Sequence, residues 1–322
     1  MVELGYTLSC EEHPPNRLVE IARLAEDAGF GFTMISDHYH PWIDRQGNSP
    51  FVWSVIGGVA HATRRIRLGT GVTCPTIRVH PAIVAHAAAT SAAMMPGRFF
   101  LGLGSGENLN EHVVGERYPS ADIRQDMLEE AIEIIRSLWE GELVSHRGDH
   151  FEVENARLYT LPDEPAPIYV AGSGSRSASL AARAGDGLIG TAPDADFIKA
   201  YAEAGGRGPR YGQLHVCWAD RADQARGTAH ELWPNVAIPG ELGQELPLPR
   251  HFEQASTTVT EDMVAELVPC GPDPEVHLEG IKKFVDAGYD HLNIHQIGDD
   301  HERALDFYRK EVIPRLDQLD GD

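Results

Sequence analysis

The octapeptide "ISDHYHPW", residues 35–42, brings a carboxylate, two imidazoles and an indole together directly after the apolar run "FGFTM". Asp37, His38 and His40 are of types that ligate metals, and a neutral imidazole at a strand end also accepts protons near neutral pH. No HExxH motif or second ligand cluster accompanies them, so a metal would lack the rest of its coordination shell. Proton transfer is the better chemistry for this stretch, and no metal is expected.

Two glycine-rich stretches follow. "LGLGSGENLNE" places glycines at 102, 104 and 106, which is not the G-x-G-x-x-G spacing of a dinucleotide fingerprint. Gly102 reads as tight packing at a strand, whereas Gly104 and Gly106, beside Glu107, would let a flat ring approach the backbone. "AGSGSRSASLAARAGDG" runs a Gly/Ser loop straight into a helix. Free N–H groups, serine hydroxyls and the helix dipole favour an anion there, and Arg176 adds a full charge; a serine-rich helix cap is the competing reading.

The elements that must position these residues alternate between short β-rich runs and longer amphipathic ones. Candidate strands cover 3–9, 32–36, 66–73, 98–105, 167–172, 187–191, 213–219 and 291–297. Between them lie patterns such as "NRLVEIARLAEDAG" (16–29), with apolar residues three and four apart and a glycine stop. Eight β-then-α units with near-continuous apolar strands predict a parallel (β/α)8 barrel forming one domain over 1–322, with a doubly wound sheet as the other arrangement to consider. Two segments break the rhythm: 142–160 reads as a hairpin turning at Gly148-Asp149, and 231–260, rich in Pro and Gly, as an irregular insertion able to act as a lid.

Barrels of this kind carry chemistry at the C-terminal ends of their strands. That rule gathers Ser9 to Glu12, Asp37, His38, Thr73, Cys74, Ser105 to Asn110, Ser173 to Ser177, Thr191 and His295 at one mouth.

The chain has 322 residues and a net charge of −22, which argues against nucleic acid or an anionic membrane surface as partner. Lysine is confined to Lys199, Lys282, Lys283 and Lys310. The acidic, lysine-poor composition suits either a high-salt habitat or GC-rich codon usage. No apolar stretch is long enough to span a membrane and "MVELGYTLS" carries no signal-peptide pattern, so a cytoplasmic protein is expected. Cys10, Cys74, Cys217 and Cys270 form no CxxC pair, which speaks against a disulfide framework or zinc ribbon.

The chain resembles the luciferase-like, deazaflavin-dependent barrel enzymes. It is most similar to the branch holding coenzyme F420-dependent glucose-6-phosphate dehydrogenases and related alcohol dehydrogenases. The resemblance runs nearly end to end through "GYTLSCEE", "SDHYHPW", "LGTGVTCPTIRVHPA", "GRFFLGLGSGENLNE", "PIYVAGSG", "ARAGDG" and "AGYDHLNIH". It implies a luciferase-like (β/α)8 fold, a homodimer and coenzyme F420. Carried over by position, Asp37 and the Gly71-Val72 backbone, whose bond is cis in relatives, would hold the deazaflavin ring. Cys74, Ser105, Gly106 and Asn110 would complete the ring and ribityl contacts, and Ser173, Gly174, Arg176 and Ser177 would hold the phosphate.

For mechanism, the resemblance implies His38 as the general base that removes a substrate hydroxyl proton while hydride leaves for C5 of the deazaflavin. Glu107 would protonate N1 and must stay partly protonated itself, which burial favours. Trp42 would stack in the mouth. Glu11 would orient substrate or histidine, unless it is a solvated loop carboxylate, and His40 is left to packing. Thr191 retains a substrate contact. The lysines and arginine that hold the sugar phosphate in relatives fall at Asp194, near 243–244 and near 265–266. An acidic Asp194 would repel a phosphate dianion, so an uncharged alcohol or unphosphorylated sugar is the expected substrate. Arg250, in the insertion, is the residue that would compensate in a glucose-6-phosphate dehydrogenase with a different phosphate site. An FMN-dependent luciferase-like monooxygenase, or a barrel that binds without turnover, are the other readings.

Overall fold

The computed structural model describes residues 2–319. Eight parallel strands close into a barrel: β1 (Glu3–Leu8), β2 (Phe32–Ile35), β3 (Arg67–Thr70), β4 (Phe99–Leu103), β5 (Ile168–Ala171), β6 (Gly187–Gly190), β7 (Arg210–Val216) and β8 (His291–Gln296). The ring closes where β1 pairs with β8, Glu3 opposite His291, and each further strand neighbours the next in sequence. Sequence continuity explains the closure: these strands are buried on both faces, so each needs a neighbour on either side and a helix outside.

The outer helices are α1 (Pro15–Ala28), α2 (Val52–Ala62), α3 (Pro81–Met94), α4 (Ala121–Trp139), α5 (Ser175–Ala184), α6 (Ala195–Glu203), α7 (Ala222–Leu232), α8 (Pro274–Ala287) and α9 (His301–Phe307). Their apolar stripes face the strands; in α1 the buried positions Leu18, Ile21, Ala22 and Ala25 follow the three-and-four spacing. Inside the barrel, Phe32, Met34, Phe100, Tyr169, Ile189 and Tyr211 pack into one cluster. Gly102 packs as expected, since a Cβ there would lie 2.0 Å from the Thr70 carbonyl oxygen.

All eight expected strands are present, and their ends differ most at β3 and β7. β3 stops at Thr70, the Gly71–Val72 bond is cis, and Thr73 meets Leu103 only as an isolated bridge. β7 begins at Arg210, earlier than expected, because the turn-like "GPRYG" hides a Tyr211 ring that is fully buried in the barrel.

The hairpin pairs Val144–Arg147 with Glu152–Ala156. Glu130 of α4 fixes its turn by accepting from the His150 and Phe151 amides at 3.0 and 2.9 Å. The expected irregular insertion is instead largely helical, with short turns at Pro234–Ala237, Leu242–Glu245, Pro249–Ala255 and Ser256–Thr258. Pro234 and Pro249 open two of these helices, where a missing N–H costs nothing. The segment seats Phe252 against Trp42, Ile43 and Leu109, so it folds over the barrel mouth.

Candidate active site

A cavity of about 710 Å³ opens at the C-terminal ends of the strands. His38, from the loop after β2, lies on its wall between two carboxylates. Its Nδ1 is 3.4 Å from Glu11 Oε1, and its Nε2 is 3.4 Å from Glu107 Oε1. Glu11 is no solvated loop carboxylate: it is 2 % exposed and accepts from the Ser9 and Ser36 hydroxyls at 2.9 and 2.7 Å. Those two donors hold it toward the imidazole. Glu107 is fixed from the other side, accepting from Asn110 Nδ2 at 2.6 Å.

Asn110 also ties the two loops together. Its Oδ1 accepts from the Tyr39 and His40 amides at 2.8 and 3.0 Å, just past His38. Trp42 packs its indole on His38, with ring centroids 5.0 Å apart. His40 turns away to the Leu109 carbonyl at 3.0 Å and stacks on His112, the packing position expected of it. Among the described residues, no group of three His, Cys, Asp or Glu is placed to hold a metal ion.

The remaining positions divide. Glu11, His38, Trp42, Gly71, Val72, Glu107 and Thr191 line the cavity; Asp37, Cys74, Ser105, Gly106, Asn110, Ser173, Gly174, Arg176 and Ser177 do not. Asp37 is buried and already engaged, accepting from Thr73 Oγ1 at 2.7 Å and from Arg78 Nη2 at 2.8 Å. Burial pushes the Cys74 thiol well above its ordinary range, so it stays neutral. Gly106 sits at φ +84°, and a Cβ there would meet Glu111 Cγ at 2.8 Å, so backbone shape rather than an approaching ring requires the glycine. Ser105 is half-buried.

In the anion loop, two of the expected residues already have partners within the protein. Ser177 turns its hydroxyl back onto Gly174, donating to that carbonyl at 2.8 Å and accepting from its amide at 3.1 Å, which is capping. Arg176 is exposed but not a free charge: Asp122 and Asp126 of α4 hold its guanidinium at 2.6 and 2.5 Å. Asp194 is likewise occupied. Its carboxylate caps α6, accepting from the Asp196 and Phe197 amides, and it is not part of the cavity wall.

Of the two loosely placed substrate positions, Ala265 and Glu266 line the cavity, whereas Gly243 and Gln244 do not. Other wall residues escaped the sequence reading. Lys283, from α8, stands on the rim with Glu279, one turn away on the same helix, and the tertiary fold adds Glu266 beside them. Beside the mouth, Glu111 is buried and its carboxyl is pushed up to about 7, chiefly by desolvation and against the backbone amide of Arg78 that it accepts at 2.8 Å. Arg78 bridges Asp37 and this carboxyl. Its presence in "TIRVHPA" was the available signal, but a single arginine after a strand does not stand out.

A family profile described as "Luciferase-like monooxygenase" matches residues 2–291. The F420-dependent hydroxymycolic acid dehydrogenase of Mycobacterium tuberculosis is 41% identical, over 97% of this chain and 88% of its own length. The F420-dependent glucose-6-phosphate dehydrogenase of Beutenbergia cavernae is 35% identical, over 98% of both. Among solved structures, an F420-dependent secondary alcohol dehydrogenase in complex with an F420-acetone adduct superposes with a TM-score of 0.90 at 31% identity, covering 98% of this chain and 99% of that one. The barrel, its mouth and these likenesses agree, and the chain belongs to the luciferase-like family.

Proposed function

We propose that this chain is a coenzyme F420-dependent dehydrogenase that oxidises a hydroxyl-bearing carbon of an uncharged alcohol or sugar. The observation that carries the reading is His38, held between Glu11 and Glu107 on the cavity wall. The relatives named as F420-dependent dehydrogenases of hydroxymycolic acid and glucose-6-phosphate support it.

The residues present fit the coenzyme. Met34, Gly71 and Val72 form an apolar part of the wall suited to a flat ring. Gly174 has open space where a side chain would stand, at the exposed start of α5, which suits a phosphate. When bound, the deazaflavin supplies the hydride acceptor at C5. In this reading Asp37 acts through Thr73 and Arg78 to shape the ring site rather than by touching the ring. Cys74, Ser105, Gly106 and Asn110 form the support behind that wall, and Ser173, Gly174 and Ser177 the phosphate loop.

His38 takes the hydroxyl proton as the carbon loses hydride. The carbonyl of His40, 3.2 Å from Nδ1, and Glu11 share the Nδ1 proton, which leaves Nε2 as the acceptor. Glu107, on the cavity wall, would be the group placed to supply a proton to the deazaflavin when it is bound and reduced. Trp42 shields the imidazole, and Thr191 contacts the substrate.

Glu266 and Glu279 against Lys283 on the rim favour an uncharged substrate over a phosphate dianion. Lys283 is also the observation that favours a second reading, a glucose-6-phosphate dehydrogenase whose phosphate site is built differently. A screen of alcohols, sugars and sugar phosphates with oxidised deazaflavin, following loss of its absorbance, tests the proposal. Tight FMN binding without deazaflavin binding would instead select the monooxygenase reading. We further infer one domain over 1–322 and a homodimer, which sedimentation of the purified protein tests.

A further inference from the structure

The same cavity is bordered by a second buried acid–imidazole series that the proposed chemistry does not use. Glu12, in the loop after β1, accepts from the Gly298 amide through Oε1 at 2.9 Å and contacts His295 Nε2 through Oε2 at 2.8 Å. His295 Nδ1 is 2.8 Å from His215 Nδ1, on the neighbouring strand β7. Trp233, from the insertion, covers both rings with centroids 4.6 and 5.1 Å away. His215 and His295 both line the cavity.

The order of protons along this series follows from its buried end. Burial opposes charge on Glu12, but the hydrogen bond from His295 and the neighbouring imidazoles outweigh it and hold the carboxyl at about 2. An ionised carboxylate only accepts, so His295 must carry its proton on Nε2. His295 Nδ1 and His215 Nδ1, 2.8 Å apart, share one proton, and where His295 is protonated on Nε2 alone the donor is His215 Nδ1. Burial and the adjacent His295 also keep His215 neutral, lowering it to about 3. The remaining nitrogen, His215 Nε2, is then a lone-pair acceptor, and no protein group among the described residues bonds to it.

We propose that His215 Nε2 is a dedicated acceptor for a second hydroxyl of the substrate, held in its acceptor tautomer by Glu12 and His295. This rests on the dehydrogenase reading, with His38 receiving the reacting proton. His215 on β7 and His38 after β2 belong to strands that are not neighbours in the ring, so the two imidazoles address different parts of one ligand. The substrate class becomes a diol or polyol rather than a simple secondary alcohol. A site built to receive a hydroxyl discriminates strongly against an analogue without one, because the acceptor is left unpaired.

Long-range ¹⁵N–¹H spectra of the ¹⁵N-labelled, deazaflavin-loaded protein test the tautomer directly. His215 is expected to show a protonated Nδ1 and an unprotonated Nε2, and a vicinal diol should move the Nε2 signal where a matched monoalcohol does not. His295→Phe should let His215 revert to the Nε2-protonated form. An Nε2–H signal in the unmutated protein, or an Nε2 indifferent to diols, overturns the proposal. In kinetics, the kcat/KM preference for diol over monoalcohol should be roughly tenfold or more. It should collapse in His215→Phe through a raised diol KM and return in part in His215→Gln, whose amide oxygen can accept. A preference that survives in His215→Phe also overturns it. Failure of every hydroxyl compound to reduce the deazaflavin would sink the dehydrogenase reading, while the diol-dependent Nε2 shift would still decide the role of His215.

Discussion

His38 Nε2 stands 3.4 Å from Glu107 Oε1 at the edge of the cavity, so the proposed proton acceptor and proton source are neighbours. Asn110 sets that spacing, since one amide holds the Glu107 carboxylate and the backbone just after His38. Replacing Asn110 by Ala is therefore expected to lower kcat while leaving the barrel folded. The measurement is turnover beside the circular dichroism spectrum. Unchanged kcat would separate Asn110 from the site.

His38→Ala should reduce kcat by roughly 10²–10⁴-fold, the range for losing a positioned general base. Deazaflavin affinity, read by fluorescence titration, should change little because the imidazole is not assigned to the coenzyme. Near-normal turnover would refute the base assignment.

Glu11→Gln keeps the side chain's shape and its place beside Ser9 and Ser36 but removes the charge facing Nδ1. A fall of roughly 10- to 100-fold in kcat is expected, smaller than for His38→Ala because an orienting group and not the base is lost. A change confined to KM would assign Glu11 to substrate instead.

Glu111 gives a pH prediction for stability. Its carboxyl is raised from 4.5 to about 7 in the fold, mainly by burial, so the folded state prefers it protonated. The contribution is fully present below 4.5 and is lost as pH rises through about 7. Glu111→Gln removes this loss while keeping an oxygen for the Ile77 and Arg78 amides. The melting temperature of the variant should gain on that of the unmutated protein as pH climbs from 4.5 to above 7. Parallel melting curves across that window would reject the assignment.

Charge on the rim, rather than at Asp194, should govern phosphorylated substrates. Asp194→Lys is expected to lose a helix cap, costing about 1 kcal/mol, without gaining sugar-phosphate turnover. Glu279→Lys, one helical turn from Lys283, should raise kcat/KM for sugar phosphates relative to the free sugar. Equal ratios in both proteins would show that rim charge does not select.

Legibility in the sequence followed the range over which each signal acts. The strands carrying Asp37 and Glu107 were readable because a buried strand must be apolar along its own length, and the residues just past its end are then placed by barrel geometry alone. Partnership was not readable. Nothing near residue 176 announces that Asp122 and Asp126 of another helix claim its guanidinium. Nor does the spacing of Glu12, His215 and His295 show them meeting, because the contacts depend on which strands become neighbours. Asp194 illustrates the same limit locally, since an acid three residues past a strand reads as a site residue until the helix it caps is in place.

The closure of β1 against β8 bears on how the molecule assembles. Glu12 meets His295 across 283 residues of sequence, and Tyr6 meets His301 across 295. Contacts of such separation form late, because the loop between them must already be ordered before they gain anything. One wall of the cavity therefore comes into being only as the last strand docks. Before β8 docks the barrel is an open trough, and the return of a closed, ligand-competent cavity is expected to lag behind the return of helical structure when the unfolded protein is refolded.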